Sequence, residues 1–165
     1  MELDSILLTH RLHIDSHYEE FVELYCNTTG ANTSRTAAKF VLSNWYEGYL
    51  YAVLLGLKIN EREPRIGERK DKAPMWSKNY LNQYKYTITS VLSRKDVLFE
   101  LNLLTREAIS ANFVSIEATL NQVKNICEEY CGGGLKYLYN EWQKDPTVFN
   151  EYTALKRIYL DAKPK

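Results

Sequence analysis

The sequence has few cysteines, no net charge and no long apolar run, and each scarcity argues against a class of protein. Three cysteines form an odd set without a paired framework, so a small secreted fold held by disulfides is not expected. The longest apolar run, residues 50–57, is far shorter than the roughly 18 residues needed to span a bilayer. Residues 6–8 are too short an apolar stretch for a secretory signal. We therefore expect a cytoplasmic protein without a membrane partner.

Motifs that specify catalysis or metal binding are also scarce. Cys127 and Cys131 lack the second ligand pair of a structural zinc site, so we predict core cysteines on one helix face. Gly132-Gly-Gly134 lacks the Lys-Ser or Lys-Thr of a phosphate-binding loop, and we predict that it ends a helix. From these observations we predict no catalytic residue, no bound metal and no cofactor.

The three histidines, His10, His13 and His17, lie near the N-terminus. Steps of three and four would align them on one helix face, but Ser16 and Glu19 fit a capping box that would start a new helix there. We therefore expect histidines at the surface or its boundary rather than a metal site. Arg11 and His17 also meet the loose Arg–His spacing of helical ribonucleases, in which a histidine moves a proton and an arginine steadies phosphate charge.

Tyrosine, by contrast, is abundant, with 13 in 165 residues. Its ring buries apolar area while its hydroxyl tolerates water, which suits either a contact surface or a core rich in tyrosine. Charge is uneven beneath the neutral total: residues 1–34 carry −5, residues 65–95 carry +6 and residues 96–131 carry −4. The basic strip of residues 65–95 fits an anionic partner, self-association, or neutralisation within the domain.

Apolar residues recur at helical spacing along most of the chain, so we predict an all-α fold, a compact bundle of six to seven helices. The first predicted helix begins after residue 16. The others run from Asn32 to about Leu57, from about Ser77 to Leu92, from Val97 to Leu104, from Ala111 to Tyr130, over residues 135–142, and from Asp145-Pro146 to about Leu160. Residues 60–74 are charged and broken by prolines and a glycine, which predicts one long loop or hinge. No stretch reads convincingly as a strand, and we expect residues 1–165 to form a single domain.

The stretch Asn44–Pro64 contains an aromatic helix with a small residue at every fourth position. Gly48, Ala52 and Gly56 would share one face, which would let another helix approach very closely. We predict that this face binds a larger protein partner or a second copy of the chain. The predicted partner-binding residues are Trp45, Tyr46, Gly48, Tyr49, Ala52 and Gly56. The alternative is that the face is buried inside this domain and the helix is scaffold.

The basic strip interleaves lysines and arginines with aromatic residues. Basic side chains neutralise phosphates and aromatic rings stack on unpaired bases, so the strip is a candidate surface for DNA or RNA. The predicted nucleic-acid contacts are Arg65, Arg69, Lys70, Lys72, Lys78, Lys85, Arg94 and Lys95. The alternative is a helix whose Trp76, Tyr80 and Tyr84 face the core while its lysines are solvated.

Two stretches resemble a known family. Ala52-Val-Leu-Leu-Gly56, followed by Arg62-Glu-Pro64, resembles a pattern in small helical proteins associated with the bacterial Dnd system, which performs DNA phosphorothioation and related phage defence. The stretch Glu128–Leu138 is similar to a Glu-x-x-x-Gly-Gly-x-x-x-Leu segment of those proteins. The resemblance implies an accessory role in a DNA-modification or defence assembly and supplies no catalytic residues.

Three functional hypotheses follow. The leading one is a non-enzymatic accessory or adaptor subunit of a bacterial DNA-modification or anti-phage defence assembly, acting through protein–protein docking. The second is a nucleic-acid-binding module that uses the basic strip. The third is an enzyme whose chemistry depends on Arg11 and His17 or on residues that no motif in the sequence marks.

Overall fold

The structure, a computed structural model, describes residues 3–26, 42, 44–73, 78–111, 115–151 and 153–165. Within these ranges it contains eight α-helices: α1 (Leu3–Thr9), α2 (Glu19–Tyr25), α3 (Trp45–Ile59), α4 (Leu81–Leu92), α5 (Lys95–Glu100), α6 (Arg106–Ala111), α7 (Ile116–Lys144) and α8 (Ala154–Asp161). Two strands, β1 (Leu12–Asp15) and β2 (Arg69–Ala73), and 3₁₀ helices at Ser16–Tyr18, Lys78–Tyr80 and Pro146–Asn150 complete the described elements. The predicted all-α class is confirmed.

The centre of the domain is an antiparallel crossing of α3 and α7. Ala52 of α3 lies against Gly134 of α7, and one turn later Gly56 lies against Tyr130. Both helices bury much of their length at this crossing, and α4 packs against each of them. Among the described helices, none is both long enough and apolar enough to cross a lipid bilayer.

The three consecutive glycines lie inside α7 and do not end it, so the predicted stop at residues 132–134 is wrong. Each glycine in a helix interior costs about 1 kcal/mol relative to alanine. Here the cost is offset because the missing side chains let backbones touch: a methyl group on Gly133 or Gly134 would come within 3.0 Å of backbone atoms of Glu61 or Ala52. The helices predicted at 111–130 and 135–142 are therefore one helix, Ile116–Lys144.

The structure also corrects the charged segment 60–74. Residues 61–68 are irregular, but Arg69–Ala73 form β2, which pairs antiparallel with β1 in a register that places Ile14 opposite Lys70. The pairing gives hydrogen-bond partners to backbone groups that a free loop would leave to water. Local composition could not reveal this strand, because its partner lies more than fifty residues away in the sequence.

Several predicted helix boundaries shift because other residues provide the caps. Asp15, not Ser16, accepts the backbone N–H of His17, and α2 begins only at Glu19 after a 3₁₀ turn. The predicted helix from Asn32 lies partly outside the described residues; α3 starts at Trp45 because Asn44 is extended and its side chain caps Glu47. The predicted cap at Asp145 is confirmed, although it opens a 3₁₀ helix that precedes α8.

The abundance of tyrosine is explained in part by the core. Four tyrosines are almost fully buried: Tyr18, Tyr49, Tyr84 and Tyr130. For these residues, the alternative of a core rich in tyrosine is confirmed. Tyr86 is the opposite case, with 73% of its surface exposed.

Candidate functional site

The predicted partner-binding residues lie mostly inside the domain. Those buried in the structure are Trp45, Gly48, Tyr49, Ala52 and Gly56. Ala52 and Gly56 are covered by α7, and Tyr46 is half-buried with its ring stacked on Tyr80 at a centroid distance of 5.1 Å. The small-residue face therefore packs within this chain and is not a surface that a partner could reach.

Gly48 illustrates why this face is closed. A methyl group at Gly48 would lie 2.6 Å from Sγ of Cys26, far inside van der Waals contact. A Gly48 substitution would therefore test packing in the core and not docking.

The predicted nucleic-acid contacts are dispersed, and two of them are already paired. Lys85 forms an ion pair with Asp4, and the guanidinium of Arg94 bonds to Asp96 at 3.1 Å and to the side-chain oxygen of Asn60. Arg65, Lys78 and Lys95 are exposed. Arg69, Lys70 and Lys72 lie on β2, but their side chains are outside the described part of the structure. Of the interpretations of the strip, internal neutralisation holds for Lys85 and Arg94, while self-association and binding of nucleic acid stay predictions.

The histidines and Arg11 do not share a helix. His10 follows α1 and is buried, His13 lies in β1, and His17 is exposed in the 3₁₀ turn beyond it. Because β1 separates Arg11 from His17, the helical arrangement that the ribonuclease-like spacing requires does not form.

A polar cleft of about 310 Å³ lies where β1 meets α7 and the segment after α3. At its wall Nδ1 of His13 lies 3.0 Å from a carboxylate oxygen of Glu128. Asp15 there accepts backbone N–H groups of Ile66 and Gly67, which fixes the turn before β2.

The glutamates of this cleft are engaged by basic groups of the same chain. Glu63 bonds to Lys136 at 2.8 Å, and Glu129 bonds to Nε of Arg62 at 2.7 Å. Among the described residues no group of three or more His, Cys, Asp or Glu side chains is arranged to hold a metal ion. The arrangement braces β1 and the segment after α3 onto α7.

All three cysteines are buried and none forms a disulfide, and Cys127 and Cys131 are core residues of α7, as their spacing predicts. Burial raises the pKa of the Cys26 and Cys127 thiols to about 12, so neither provides a thiolate nucleophile near neutral pH.

An open groove of about 520 Å³ runs between α3 and α4, on a different side of α3 from the α7 crossing. We call it the α3–α4 groove, and it is lined by Glu47, Leu50, Tyr51, Leu54, Tyr80, Gln83, Tyr86, Thr87 and Ser90. On each helix the lining residues are spaced i, i+3, i+4 and i+7, so they form one continuous face. Leu54 and Tyr86 are exposed at 38% and 73%.

The two helices of the groove run in the same direction. Near their first residues Asn44 donates a hydrogen bond to the Tyr80 hydroxyl at 2.5 Å. Past their last residues the side chains of Arg94 and Asn60 are bonded to each other. The groove was not predicted, because the small residues of α3 indicate a contact on the opposite face of this helix. The signal for the groove in the sequence was Leu54 and Tyr86, two large apolar residues that fall outside the buried stripes.

Comparisons with protein-family models, with curated proteins and with solved structures find no match to this chain. The class of this protein is therefore described by its own structure. It is an all-α domain centred on a glycine-lined crossing of α3 and α7, with an open groove between α3 and α4.

Proposed function

We propose that this chain is a non-enzymatic adaptor that binds another polypeptide through the α3–α4 groove. The observation that carries the proposal is the apolar character of an open recess walled by Leu50, Leu54 and Tyr86. Contiguous apolar surface that stays exposed in a folded domain is typical of interaction sites.

We further propose that the adaptor works in the cytoplasm of a bacterium, in a DNA-modification or anti-phage defence assembly. The resemblance to Dnd-associated proteins supports this setting. Its two stretches contact each other in the structure: Gly56 packs on Tyr130, Ala52 packs on Gly134, and Arg62 bonds to Glu129.

The adaptor proposal is tested by comparing Leu54→Arg with Leu24→Arg. Both leucines are exposed to a similar degree, 38% and 43%, but Leu24 lies on α2, away from the groove. Proteins captured by the wild type from the host cell are identified, purified and mixed with each variant, and complex formation is measured by light scattering. We expect a defined complex that Leu54→Arg abolishes and Leu24→Arg preserves.

Self-association is measured in the same experiment, because light scattering gives the mass of the chain alone. A complex that forms equally well with both variants would place docking elsewhere on the molecule. A chain that is strictly monomeric and binds no purified candidate would contradict the adaptor proposal. The defence setting is checked separately, by whether deletion of the gene changes DNA phosphorothioation or the plating efficiency of phage.

A further inference from the structure

We infer that the polar cleft between β1, α7 and the segment after α3 binds a small zwitterion of the amino-acid class, with the ammonium group at one end and the carboxylate at the other. This site is separate from the α3–α4 groove, so the inference goes beyond the adaptor proposal and does not depend on it. It is carried by the order of the side chains along the cleft and by the polar atoms that these side chains leave unbonded.

The segment after α3 runs antiparallel to α7 along the cleft. Glu61 lies against Gly133, where an added methyl group would come 2.7 Å from the carbonyl carbon of Glu61. Two residues later, the backbone N–H of Glu63 donates to the carbonyl of Glu129 at 2.9 Å. The chain therefore moves toward the N-terminal end of α7 as it continues to Arg65, which gives the cleft two ends with different side chains.

The first end of the cleft carries two carboxylates that each have an unbonded oxygen. Glu63 accepts a bond from Lys136 through Oε2. Glu129 accepts its bonds from Arg62 through Oε2 as well. In the part of the chain that the structure describes, Oε1 of Glu63 and Oε1 of Glu129 have no bonding partner. Because an ammonium group has three donors and no acceptor, it fits a pair of carboxylate oxygens.

The second end of the cleft carries two hydrogen-bond donors. Arg65 and Asn125 both line the cleft and are exposed. Within the described ranges neither side chain has a hydrogen-bond or ion-pair partner. A guanidinium presents its donors as a planar fork that matches a carboxylate, and the side-chain amide of Asn125 adds two further N–H groups. This end therefore fits the carboxylate of a ligand.

The distance between the two ends suits one small molecule. Asn125 and Glu129 lie one turn apart on the same face of α7, a rise of about 6 Å. Arg65 follows Glu63 by two residues, so their Cα atoms are at most about 7 Å apart. In a free α-amino acid a single carbon joins the ammonium and carboxylate groups, whereas in a peptide these charges lie at opposite termini. The cleft therefore selects a free amino acid over a peptide.

The other carboxylates of the lining are engaged within the chain. Glu128 lies 3.0 Å from Nδ1 of His13 and 3.4 Å from Nζ of Lys124. Asp15 accepts two backbone N–H groups of the turn before β2. A ligand with net negative charge would face the four carboxylates of the lining, and one with net positive charge would leave Arg65 without a counter-ion. A zwitterion avoids both costs, since it adds no net charge.

The test is calorimetric titration of the full chain with each of the twenty amino acids. An amino acid that binds is then compared with its N-acetyl derivative, which lacks the ammonium group, and with its amide, which lacks the carboxylate. We expect at least one amino acid to bind, and both derivatives to bind at least about tenfold more weakly. The inference is overturned if no amino acid binds at concentrations up to about 10 mM, or if the derivatives bind as tightly as the parent.

Two variants locate the binding site. Neither Arg65 nor Asn125 bonds to the rest of the described chain, so Arg65→Gln and Asn125→Ala should keep the wild-type circular dichroism spectrum. Each should weaken binding of the amino acid by about tenfold, and Arg65→Gln should leave the weak binding of the amide unchanged. The control is Arg157→Gln, which changes an arginine of α8 that does not line the cleft and should bind like the wild type. Binding that survives both cleft substitutions would place the ligand elsewhere and overturn the site.

Discussion

Replacing Gly134 by alanine should destabilise the domain, although the same substitution in an isolated helix would stabilise it. Alanine in place of glycine in a helix interior gains about 1 kcal/mol. At Gly134, however, the added methyl group would lie 2.7 Å from the carbonyl carbon and 3.0 Å from Cα of Ala52. These are backbone atoms of α3, so no side-chain rotation relieves the overlap.

The magnitude follows from these opposing terms. Overpacking of a rigid core costs roughly 1–3 kcal/mol, and an overlap with backbone belongs near the upper end of that range. The net loss is therefore about 2 kcal/mol, which corresponds to a fall in melting temperature of about 4–8 °C for a domain of this size.

Gly132→Ala is the matched control in the same helix. A methyl group there would lie 3.0 Å from the carbonyl oxygen and 3.3 Å from Cβ of Glu63, in the irregular segment after α3. This contact is less severe than the one at Gly134, and a shift of a few tenths of an ångström in the segment would relieve it, so the gain in helix propensity and the packing cost should nearly cancel. We expect Gly132→Ala to remain within about 1 kcal/mol of the wild type.

The assay is urea unfolding followed by circular dichroism, with the midpoints and slopes of the three proteins compared. If Gly134→Ala were as stable as Gly132→Ala, the two helices would not be in backbone contact at this point. The proposed origin of the uninterrupted α7 would then be refuted.

Three further predictions concern buried charge, an ion-pair network and the basic strip. Burial lowers the pKa of His10 to about 4, with Lys124 adding to the shift and Glu128 opposing it. Because the fold favours neutral His10, the free energy of unfolding should fall by about 3 kcal/mol as the pH drops from about 6.5 to 4. Urea midpoints measured across this pH range should show the loss in the wild type and lack it in His10→Leu. Equal pH profiles for the two proteins would contradict the prediction. Arg62→Gln removes bonds to Glu100 and Glu129 and should lower the free energy of unfolding in urea by about 1 kcal/mol. The control, Arg157→Gln, removes only the exposed pair with Glu151 and should lower it by less than about 0.5 kcal/mol. If the basic strip binds nucleic acid, Arg65→Glu and Lys78→Glu should weaken binding at low salt while Lys163→Glu does not, and no binding to DNA or RNA at low salt would reject the hypothesis.

Local patterns predicted the helices whose burial is one-sided. In α4 the apolar stripe of Tyr84, Ile88 and Val91 is visible in the sequence and buried in the structure. The cap at Asp145 was equally visible, because its bonds to Thr147 join residues two positions apart.

The candidate site was harder to predict, because α3 has a possible contact face on either side. Small residues at Gly48, Ala52 and Gly56 suggest close approach, but they carry no information on whether the neighbour is another chain or α7 of this one. The open groove instead depends on Leu54 and Tyr86, two residues that look ordinary until α3 and α4 lie side by side.

The sequence by itself determined the all-α class and most of the helical segments, since these depend on spacing and capping within a few residues. Only the tertiary structure decided that residues 132–134 continue a helix, that residues 69–73 form a strand, and which face of α3 is open. The physical reason is the same in each case. A glycine ends a helix or lets two helices touch, and a charged segment stays irregular or pairs as a strand, according to which distant backbone lies beside it.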